Sequence, residues 1–251
     1  MSKLSFSQVR VVLINTSHPG NIGSAARALK TMGLSQLYLV SPKYFPHTKA
    51  TELAAGADDI LEQATVCNDI KQALHGCRLV IGTSSRPRGI PTSLITPREC
   101  GEKITSEMQS GEVAILFGNE QSGLSNEELQ YCHYHTIIPS NTNYCSLNLA
   151  AAVQILCYEI RMASLDSTPL VQKFYDDLAN SDEVESFFKH LETLLIEIDF
   201  LRPTNPKRLL SRLKRLFNRI RLEKMEVNLL HGILTAIQKQ HSLPHTPKKS
   251  S

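Results

Sequence analysis

The stretch SHPGNIGSAARALKTMGL, residues 17–34, places an asparagine and an arginine where a strand gives way to a helix. The apolar run VRVVLI before it predicts the strand, and the Ala-rich segment after it predicts the helix. Asn21 can cap that helix, and Arg27 lies about one turn into it. An arginine can grip a phosphate or stabilise a developing oxyanion. Taken alone, the loop favours a structural strand-to-helix turn with a surface arginine.

This loop lacks the glycine patterns of the common phosphate-binding loops. A dinucleotide fold has G-x-G-x-x-G after its first strand, and a P-loop has G-x-x-x-x-G-K-[ST]. The loop here offers Gly20, Asn21 and Gly23 instead. A generic nucleotide-binding regulator is therefore disfavoured.

Three further loops follow predicted strands: GTSSRPRG, FGNEQSGLSNEEL and IPSNTNYCSLNLA. They contribute Glu120, Ser146 and Asn148, and Ser125 with Glu128 predicts a capping box. Ligands bind outside the carboxyl ends of strands in an open parallel sheet, so these loops are expected to converge.

The elements that must position these loops alternate between strand and helix. Val- and Ile-rich runs predict strands at 9–14, 36–40, 78–84, 112–118 and 135–139, with helical stretches between them. This order predicts an α/β fold with a mostly parallel sheet. We expect this domain to span 1–165, followed by a linker at 166–181, a helical module at 182–241 and a disordered tail at 242–251.

Composition excludes several classes of protein. The chain has 251 residues, 41% of them hydrophobic, and no window approaches eighteen consecutive apolar residues, which argues against a membrane span. The start of the chain is a poor signal peptide, so we expect a cytoplasmic protein. Six cysteines are scattered without a C-x-x-C pair, so most should be buried hydrophobes, and neither disulfides nor a metal site are expected.

The small net charge of +3 hides a basic C-terminal end. Residues 202–251 hold 12 Lys and Arg against two acids, a balance of +10, and the rest of the chain carries −7. Within PKRLLSRLKRLFNRIRL we expect Leu209, Leu213, Leu216 and Ile220 to face a core. Arginines at helical spacing form a stripe on the same helix: Arg208, Arg212, Arg215 and Arg219. A solvated surface and a membrane surface are alternatives, but unpaired arginines favour RNA.

The motif loops together resemble the SPOUT superfamily, specifically its TrmH-like branch of RNA ribose 2′-O-methyltransferases. Its three motifs correspond to N-I-G-x-x-x-R (21–27), F-G-N-E-x-x-G-L (117–124) and S-L-N-L-A (146–150). LAAGADDIL, GTSSRPR, DFLRP and RLKRLFNR extend the resemblance to the TrmJ-type bacterial tRNA (cytidine/uridine-2′-O)-methyltransferases. This likeness covers residues 9–240.

The resemblance implies a parallel sheet with a deep trefoil knot, a homodimer, and S-adenosylmethionine held largely by main-chain groups. The implied cofactor-binding residues are Thr83, Ser84, Ser85, Gly118, Ile138, Cys145, Ser146 and Leu147. The opening loop then supplies the RNA-facing part of the active site, with Arg27 reaching a cofactor bound to the partner subunit. Cys145 stands where a small residue such as serine is usual, and cysteine is close enough in size.

The implied reaction is an in-line displacement that moves a methyl group from a sulfonium to a ribose hydroxyl, leaving S-adenosyl-L-homocysteine. The protein must align the atoms and help the hydroxyl lose its proton, and no metal is required. The catalytic candidates are Asn21, Arg27, Glu120, Ser146 and Asn148. Arginine is too weak an acid to serve readily as a base, so Arg27 is expected to orient and stabilise charge, and the base stays unassigned.

Several of these residues have a second interpretation. Glu120 could instead fix its loop by accepting backbone N–H groups, and Asn21 could position Arg27. Ser146 and Asn148 could hold the knot loop as well as the ligand. For Arg86 and Arg88, contact with RNA phosphates and a plain solvated loop are comparable.

The resemblance implies methylation of C or U at position 32 of the tRNA anticodon loop. One rival is a 2′-O-methyltransferase for ribosomal RNA or for another tRNA site. Another is a non-catalytic RNA-binding protein of the same fold, against which the three intact motif loops argue.

Overall fold

The computed structural model describes residues 6–85, 93–141, 143–166, 178–201 and 207–241, without the side chains of 166, 207 and 208. The chain divides into two compact units, Met1–Phe174 and Tyr175–Ser251. Arg86 and Arg88 lie outside the described residues. In the described part of the chain, none of the helices has both the length and the apolar composition that crossing a membrane requires.

The first unit contains a seven-stranded sheet in which every pairing is parallel. Its strands are β1 (Val9–Ile14), β2 (Gln36–Val40), β3 (Thr65–Cys67), β4 (Leu79–Ser84), β5 (Ser93–Ile95), β6 (Val113–Phe117) and β7 (Tyr134–Ile137). They lie in the order β3-β2-β1-β6-β4-β7-β5. The predicted parallel α/β fold is confirmed, with the three-residue strands β3 and β5 added. The trefoil knot stays a prediction.

Helices cover both faces of this sheet. They are α1 (Pro19–Met32), α2 (Thr48–Ala54), α3 (Asp58–Glu62), α4 (Ile70–Leu74), α5 (Pro97–Glu107), α6 (Asn126–Leu129) and α7 (Leu149–Asp166). Because successive strand residues point to opposite faces, Val11 and Leu13 join one core with α1, α2, α5 and α7. Val12 and Ile14 join a second core with α4 and α6. The strands are therefore apolar on both faces, as a parallel sheet requires.

Arg10 is the exception in the buried strand β1, with 6% of its surface exposed. Its guanidinium donates to the carbonyl oxygen of Ala73 at 2.9 Å, pairs with Glu112, and lies 4.8 Å from the centre of the Tyr38 ring. Burial opposes the charged form, but Cys77, Tyr38 and Glu112 together raise the pKa of Arg10. The cation is thus compensated inside the sheet.

The second unit is helical, with α8 (Ser181–Glu197), α9 (Lys207–Ile220) and α10 (Lys224–His241). Its core joins aliphatic side chains to a group of phenylalanines: the Phe187 and Phe217 rings meet edge to face at 4.9 Å between centroids, and Phe188 packs beside them. Phe217 is therefore the residue that α9 directs into this core.

This orientation of α9 contradicts part of the predicted leucine face. Leu216 is 46% exposed and Ile220 59% exposed, whereas Leu209 and Leu213 are half-buried. Phe217 lies about 100° around the helix from Leu216, so burying the phenylalanine turns Leu216 and Ile220 outward. Helix α10 likewise exposes an apolar face formed by Met225, Leu229, Ile233 and Ile237.

Candidate active site

The first and second motif loops are neighbours because β1 and β6 are paired. Leu13 of β1 is opposite Phe117 of β6 in the register, so the loops that follow these two strands leave the sheet at the same edge. The Asn119 side chain donates from Nδ2 to the carbonyl oxygen of Asn15 at 2.7 Å and thereby ties the two loops together. Asn15 adopts a left-handed φ of 52°, which asparagine tolerates better than most residues.

Helix α1 starts earlier than the sequence suggests. Its first residue is Pro19, and His18 is the N-cap residue, so the prediction that Asn21 caps the helix is wrong. Proline is favoured at the first helical position because it has no N–H to leave unpaired and its φ already suits a helix. Asn21 lies in the first turn, where its side chain is free to join the loops.

Arg27 lies on the exposed side of α1. Among the described residues, its guanidinium makes no hydrogen bond or ion pair. An exposed cation on the helix that follows the first motif loop is available to an anionic group of a bound molecule.

The Glu120 carboxylate collects four donors from the first loop. Oε2 accepts from the Ser17 backbone N–H at 3.0 Å and from the Ser17 hydroxyl at 2.9 Å. Oε1 accepts from the His18 backbone N–H at 3.1 Å and from Asn21 Nδ2 at 3.0 Å. Partial burial acts to raise the pKa, but hydrogen bonds from Ser17, Asn21 and His18 outweigh it and lower the pKa of Glu120 to about 2. The carboxylate is therefore ionised at neutral pH and is a poor proton acceptor.

Asn148 connects the third motif loop to the same network. Its Nδ2 donates to Asn21 Oδ1 at 3.0 Å. Its Oδ1 accepts from the backbone N–H groups of Ala150 at 2.9 Å and Ala151 at 3.3 Å, at the start of α7. Asn21 thus accepts from Asn148 and donates to Glu120, and one chain of hydrogen bonds joins all three motif loops.

The implied cofactor residues lie along the same edge of the sheet. Gly82 is opposite Leu116 in β6 and His135 in β7, so Thr83–Ser85, Gly118 and Ile138 lie at the ends of three adjacent strands, with Thr83 and Ser84 the last residues of β4. The Thr83 hydroxyl donates to the carbonyl oxygen of Leu116 at 2.9 Å.

The chemistry of this edge fits the cofactor. Cys145, Ser146 and Leu147 are exposed, and the whole implied set is uncharged. Hydroxyl and main-chain groups are the partners that a nucleoside and an amino-acid moiety need.

Gly118 has a backbone reason to be glycine. The loop 118–124 folds back so closely that a Cβ on Gly118 would lie 2.1 Å from the carbonyl carbon of Gly123 and the nitrogen of Leu124. The predicted capping box is confirmed next to it, with Ser125 and Glu128 exchanging hydrogen bonds at the start of α6.

Ser17 is the residue that the sequence reading missed. The motif pattern that begins at Asn21 does not include it, although it lies three residues after the end of β1 and carries a hydroxyl. A serine at that point is the signal that could have drawn attention to it, since Ser side chains commonly bond to nearby loops and helix ends.

Of the predicted RNA-contacting arginines, Arg212 and Arg219 are exposed on α9 and Arg215 is half-buried. The side chain of Arg208 lies outside the described residues. Leu216 and Ile220 share this outer face, so it is mixed rather than purely basic.

Five of the six cysteines are buried, and burial raises the pKa of Cys100 to about 12. Cys145 is the exposed one. Among the described residues, no group of three or more His, Cys, Asp and Glu side chains is placed to hold a metal ion.

Comparison with known proteins gives a consistent result over both units. Residues 8–158 match the SpoU rRNA Methylase family, and residues 182–246 match the tRNA methyltransferase TrmJ, C-terminal domain. The chain is 51% identical over 242 residues to the tRNA (cytidine/uridine/adenosine-2′-O-)-methyltransferase TrmJ of Pseudomonas aeruginosa (strain UCBPP-PA14), covering 92% of this chain and 94% of the relative.

Two further relatives agree. The tRNA (cytidine/uridine-2′-O-)-methyltransferase TrmJ of Pectobacterium atrosepticum is 48% identical over 235 residues, with 93% and 98% of the two chains covered. The crystal structure of TrmJ from Z. mobilis ZM4 superposes with a TM-score of 0.81 at 30% identity, over 91% of this chain and 98% of that one.

Proposed function

This chain belongs to the SpoU rRNA Methylase family and carries a TrmJ C-terminal domain, and on that premise we propose that it methylates the 2′-hydroxyl of tRNA. The proposed target is C or U at position 32 of the anticodon loop, and the setting is the cytoplasm. The observation that carries the proposal is the hydrogen-bonded chain Glu120–Asn21–Asn148, which joins the three motif loops to the first turn of α1, the helix that also carries the exposed Arg27. Relatives with the same reaction in their names match nearly the full chain.

The methyl donor of the proposed reaction is S-adenosyl-L-methionine, which supplies an electrophilic methyl group and leaves as S-adenosyl-L-homocysteine. Cys145, Ser146 and Leu147 form the exposed loop that holds it, together with the residues at the ends of β4, β6 and β7. Loss of the ribose proton creates negative charge on the oxygen, and the Arg27 guanidinium stabilises that charge.

The other motif residues act by positioning. Because four hydrogen bonds keep Glu120 ionised and occupied, it serves as an anchor for the first loop and not as the proton acceptor. Asn21 and Asn148 transmit that anchoring to the third loop. Orientation of this kind contributes to rate by holding reacting atoms in line.

The proposed homodimer is supported by the outer face of α7. Ala151, Ile155, Tyr158, Met162 and Leu165 recur at alternating spacings of four and three, the pattern of a helix that packs on another helix. Tyr158 is 47% exposed and Leu165 64% exposed in the single chain. A second copy that covers this face would remove apolar surface from water, so Tyr158→Glu should shift the protein towards monomer in sedimentation experiments.

The helical unit is proposed to hold the body of the tRNA. Arg212 and Arg219 project from α9, and residues 202–251 carry a balance of +10. Phosphate contacts of this sort contribute affinity that weakens with added salt.

The test is methylation of a pool of unmodified tRNA with S-adenosylmethionine, followed by digestion and mass spectrometry that locates ribose-methylated nucleotides. We expect methylation at position 32, nearly abolished in Arg27→Ala with cofactor affinity retained. Arg98→Ala is the matched control, since Arg98 is an exposed arginine paired with Glu159 on the same unit. Methylation of ribosomal RNA or another tRNA position would change the substrate, and tRNA binding without methylation would favour a non-catalytic RNA-binding protein.

A further inference from the structure

The Ser17 hydroxyl is one end of the hydrogen-bonded chain that runs through Glu120 and Asn21 to Asn148. The other end, Asn148, belongs to the loop that is proposed to hold the cofactor. Its Oγ lies 2.9 Å from Glu120 Oε2, and its backbone N–H donates to the same oxygen at 3.0 Å. The other carboxylate oxygen, Oε1, accepts a hydrogen bond from Asn21 Nδ2, and Asn21 Oδ1 in turn accepts one from Asn148 Nδ2. Ser17 and His18 are 103 and 102 residues away from Glu120 in sequence, so these bonds join distant segments of the chain, next to the β1–β6 pairing and the Asn119–Asn15 bond.

A carboxylate that accepts from both of its oxygens cannot rotate without breaking bonds. Ser17 holds Oε2 through two donors, its backbone N–H and its hydroxyl, while the His18 N–H and Asn21 Nδ2 hold Oε1, and together these bonds fix the plane of the carboxylate. Asn21 lies six residues, about 1.7 turns, before Arg27 on α1, so the direction of the Asn21 amide is set close to the start of that helix. Hydrogen bonds to an ionised group are stronger than those between neutral groups, which makes the Ser17 hydroxyl more than an interchangeable surface contact.

We propose that Ser17 is a positioning residue for the methyl-transfer reaction, whose hydroxyl sets the orientation of Glu120 and, through Asn21, the start of the helix that carries Arg27. The proposal rests on the proposed function for its kinetic consequence, whereas the contact itself does not depend on any substrate.

Cofactor affinity should be largely independent of Ser17. Asn148 has its own bonds to Ala150 and Ala151, which hold the third loop to α7 without help from the first loop. Loss of the Ser17 hydroxyl therefore acts on the Arg27 side of the site and leaves the loop that binds the cofactor in place.

The test compares Ser17→Ala, Ser17→Thr, Glu120→Gln and the double variant Ser17→Ala/Glu120→Gln. We expect Ser17→Ala to lower kcat on tRNA about tenfold, equivalent to about 1.4 kcal/mol, with less than a twofold change in cofactor Kd. Ser17→Thr keeps the hydroxyl and should restore most of the activity. In the Glu120→Gln background, Ser17→Ala should have little further effect, because the two residues act as one unit.

Ser106→Ala is the matched control, since it removes a hydroxyl that donates to a backbone oxygen, that of Lys103, on α5 of the same unit. Unchanged kcat in Ser17→Ala, failure of threonine to rescue it, or additive effects of Ser17→Ala and Glu120→Gln would each overturn the proposal. A fall in activity fully explained by a lower Tm would do the same.

A second readout separates this inference from the proposed function. Titration of the Glu120 carboxyl carbon by NMR should show a higher pKa in Ser17→Ala than in the wild type, with or without tRNA, because the hydroxyl is one of the four donors to the ionised form. The pKa should still lie below 4.5 in the variant, because the Ser17 and His18 backbone N–H groups and Asn21 keep donating to the carboxylate. If the wild type shows no methylation of tRNA, the proposed function fails, but the titration still decides whether Ser17 orients Glu120. An unchanged titration refutes the contact.

Discussion

The two buried glycines near the start of α1 provide a sharp test of how this helix is placed. A Cβ on Gly23 would lie 2.0 Å from the backbone oxygen of Ala50 and 2.8 Å from its carbonyl carbon. A Cβ on Gly20 would lie 2.7 Å from Leu53 Cδ1, the end of a flexible and 44% exposed side chain. Gly23→Ala and Gly20→Ala therefore add the same methyl group, the first against the fixed backbone of Ala50 and the second against the flexible side chain of Leu53.

The expected magnitudes follow from these contacts. In Gly23→Ala, the distance from the new Cβ to the backbone oxygen of Ala50 is about 1.4 Å shorter than the 3.4 Å at which ordinary contact begins, so α1 and α2 must move apart. Overpacking of this kind costs about 3 kcal/mol, and the better helix propensity of alanine offsets about 1 kcal/mol. The net loss of about 2 kcal/mol corresponds to a fall in Tm of about 4–8 °C for a unit of this size. In Gly20→Ala, Leu53 can rotate away, so we expect a change within about 1 kcal/mol.

The assay is thermal unfolding followed by circular dichroism, combined with methylation of tRNA. Separation of α1 from α2 also displaces Asn21 from Glu120, so Gly23→Ala should lose activity at temperatures where it remains folded. Equal Tm values for the two variants would refute the reasoning, because they would show that α2 adapts to backbone and side-chain obstruction alike.

Three other perturbations have definite signs. The pKa of Glu120 is lowered from 4.5 to about 2, so its contribution to stability is complete above about pH 4.5 and is lost as pH falls towards 2. The Tm difference between wild type and Glu120→Gln should therefore shrink over that range, and a constant difference would contradict this prediction. Burial, and then the charge of His190, lower the pKa of His231, so acidification below pH 6.5 should destabilise the helical unit of the wild type more than that of His231→Gln in pH-dependent thermal unfolding. Arg212→Gln/Arg219→Gln should reduce the slope of log affinity for tRNA against log salt by about 1–2, whereas Lys189→Gln on α8 should leave it unchanged; an equal change in both would mean that α9 is not the contact.

The sequence predicted what depends on regular patterns. Alternation of apolar runs with helical stretches is enough to place β1, β2, β4, β6 and β7, because strands buried on both faces must be continuously apolar. It is not enough for β3 and β5, since three residues are too few to show a period and Val66 and Leu94 are exposed at the edges of the sheet. Pairing with a neighbour, not composition, makes these segments strands.

The sequence was less informative about which side chains are in contact at the site. It identified Glu120, Asn21 and Asn148 as members of three loops, and proximity of those loops followed from the rule on parallel sheets. The bonds between them depend on side-chain directions that no spacing encodes. The same limitation explains Leu216 and Ile220, where one bulky residue, Phe217, decided which way α9 faces.

The hydrogen bonds between the motif loops have a consequence for folding during synthesis on the ribosome. The bonds from Ser17 and Asn21 reach partners 99 to 127 positions later in the chain. A nascent chain that has exposed β1 and α1 still lacks β6, its neighbour in the middle of the sheet, and cannot close the site until Asn148 has emerged as well. Translation proceeds at about 5–20 residues per second, so the N-terminal motif waits for seconds before its partners exist. A terminated fragment that ends before Asn148 lacks the third loop of this network and should therefore present an Arg27 helix without a working site.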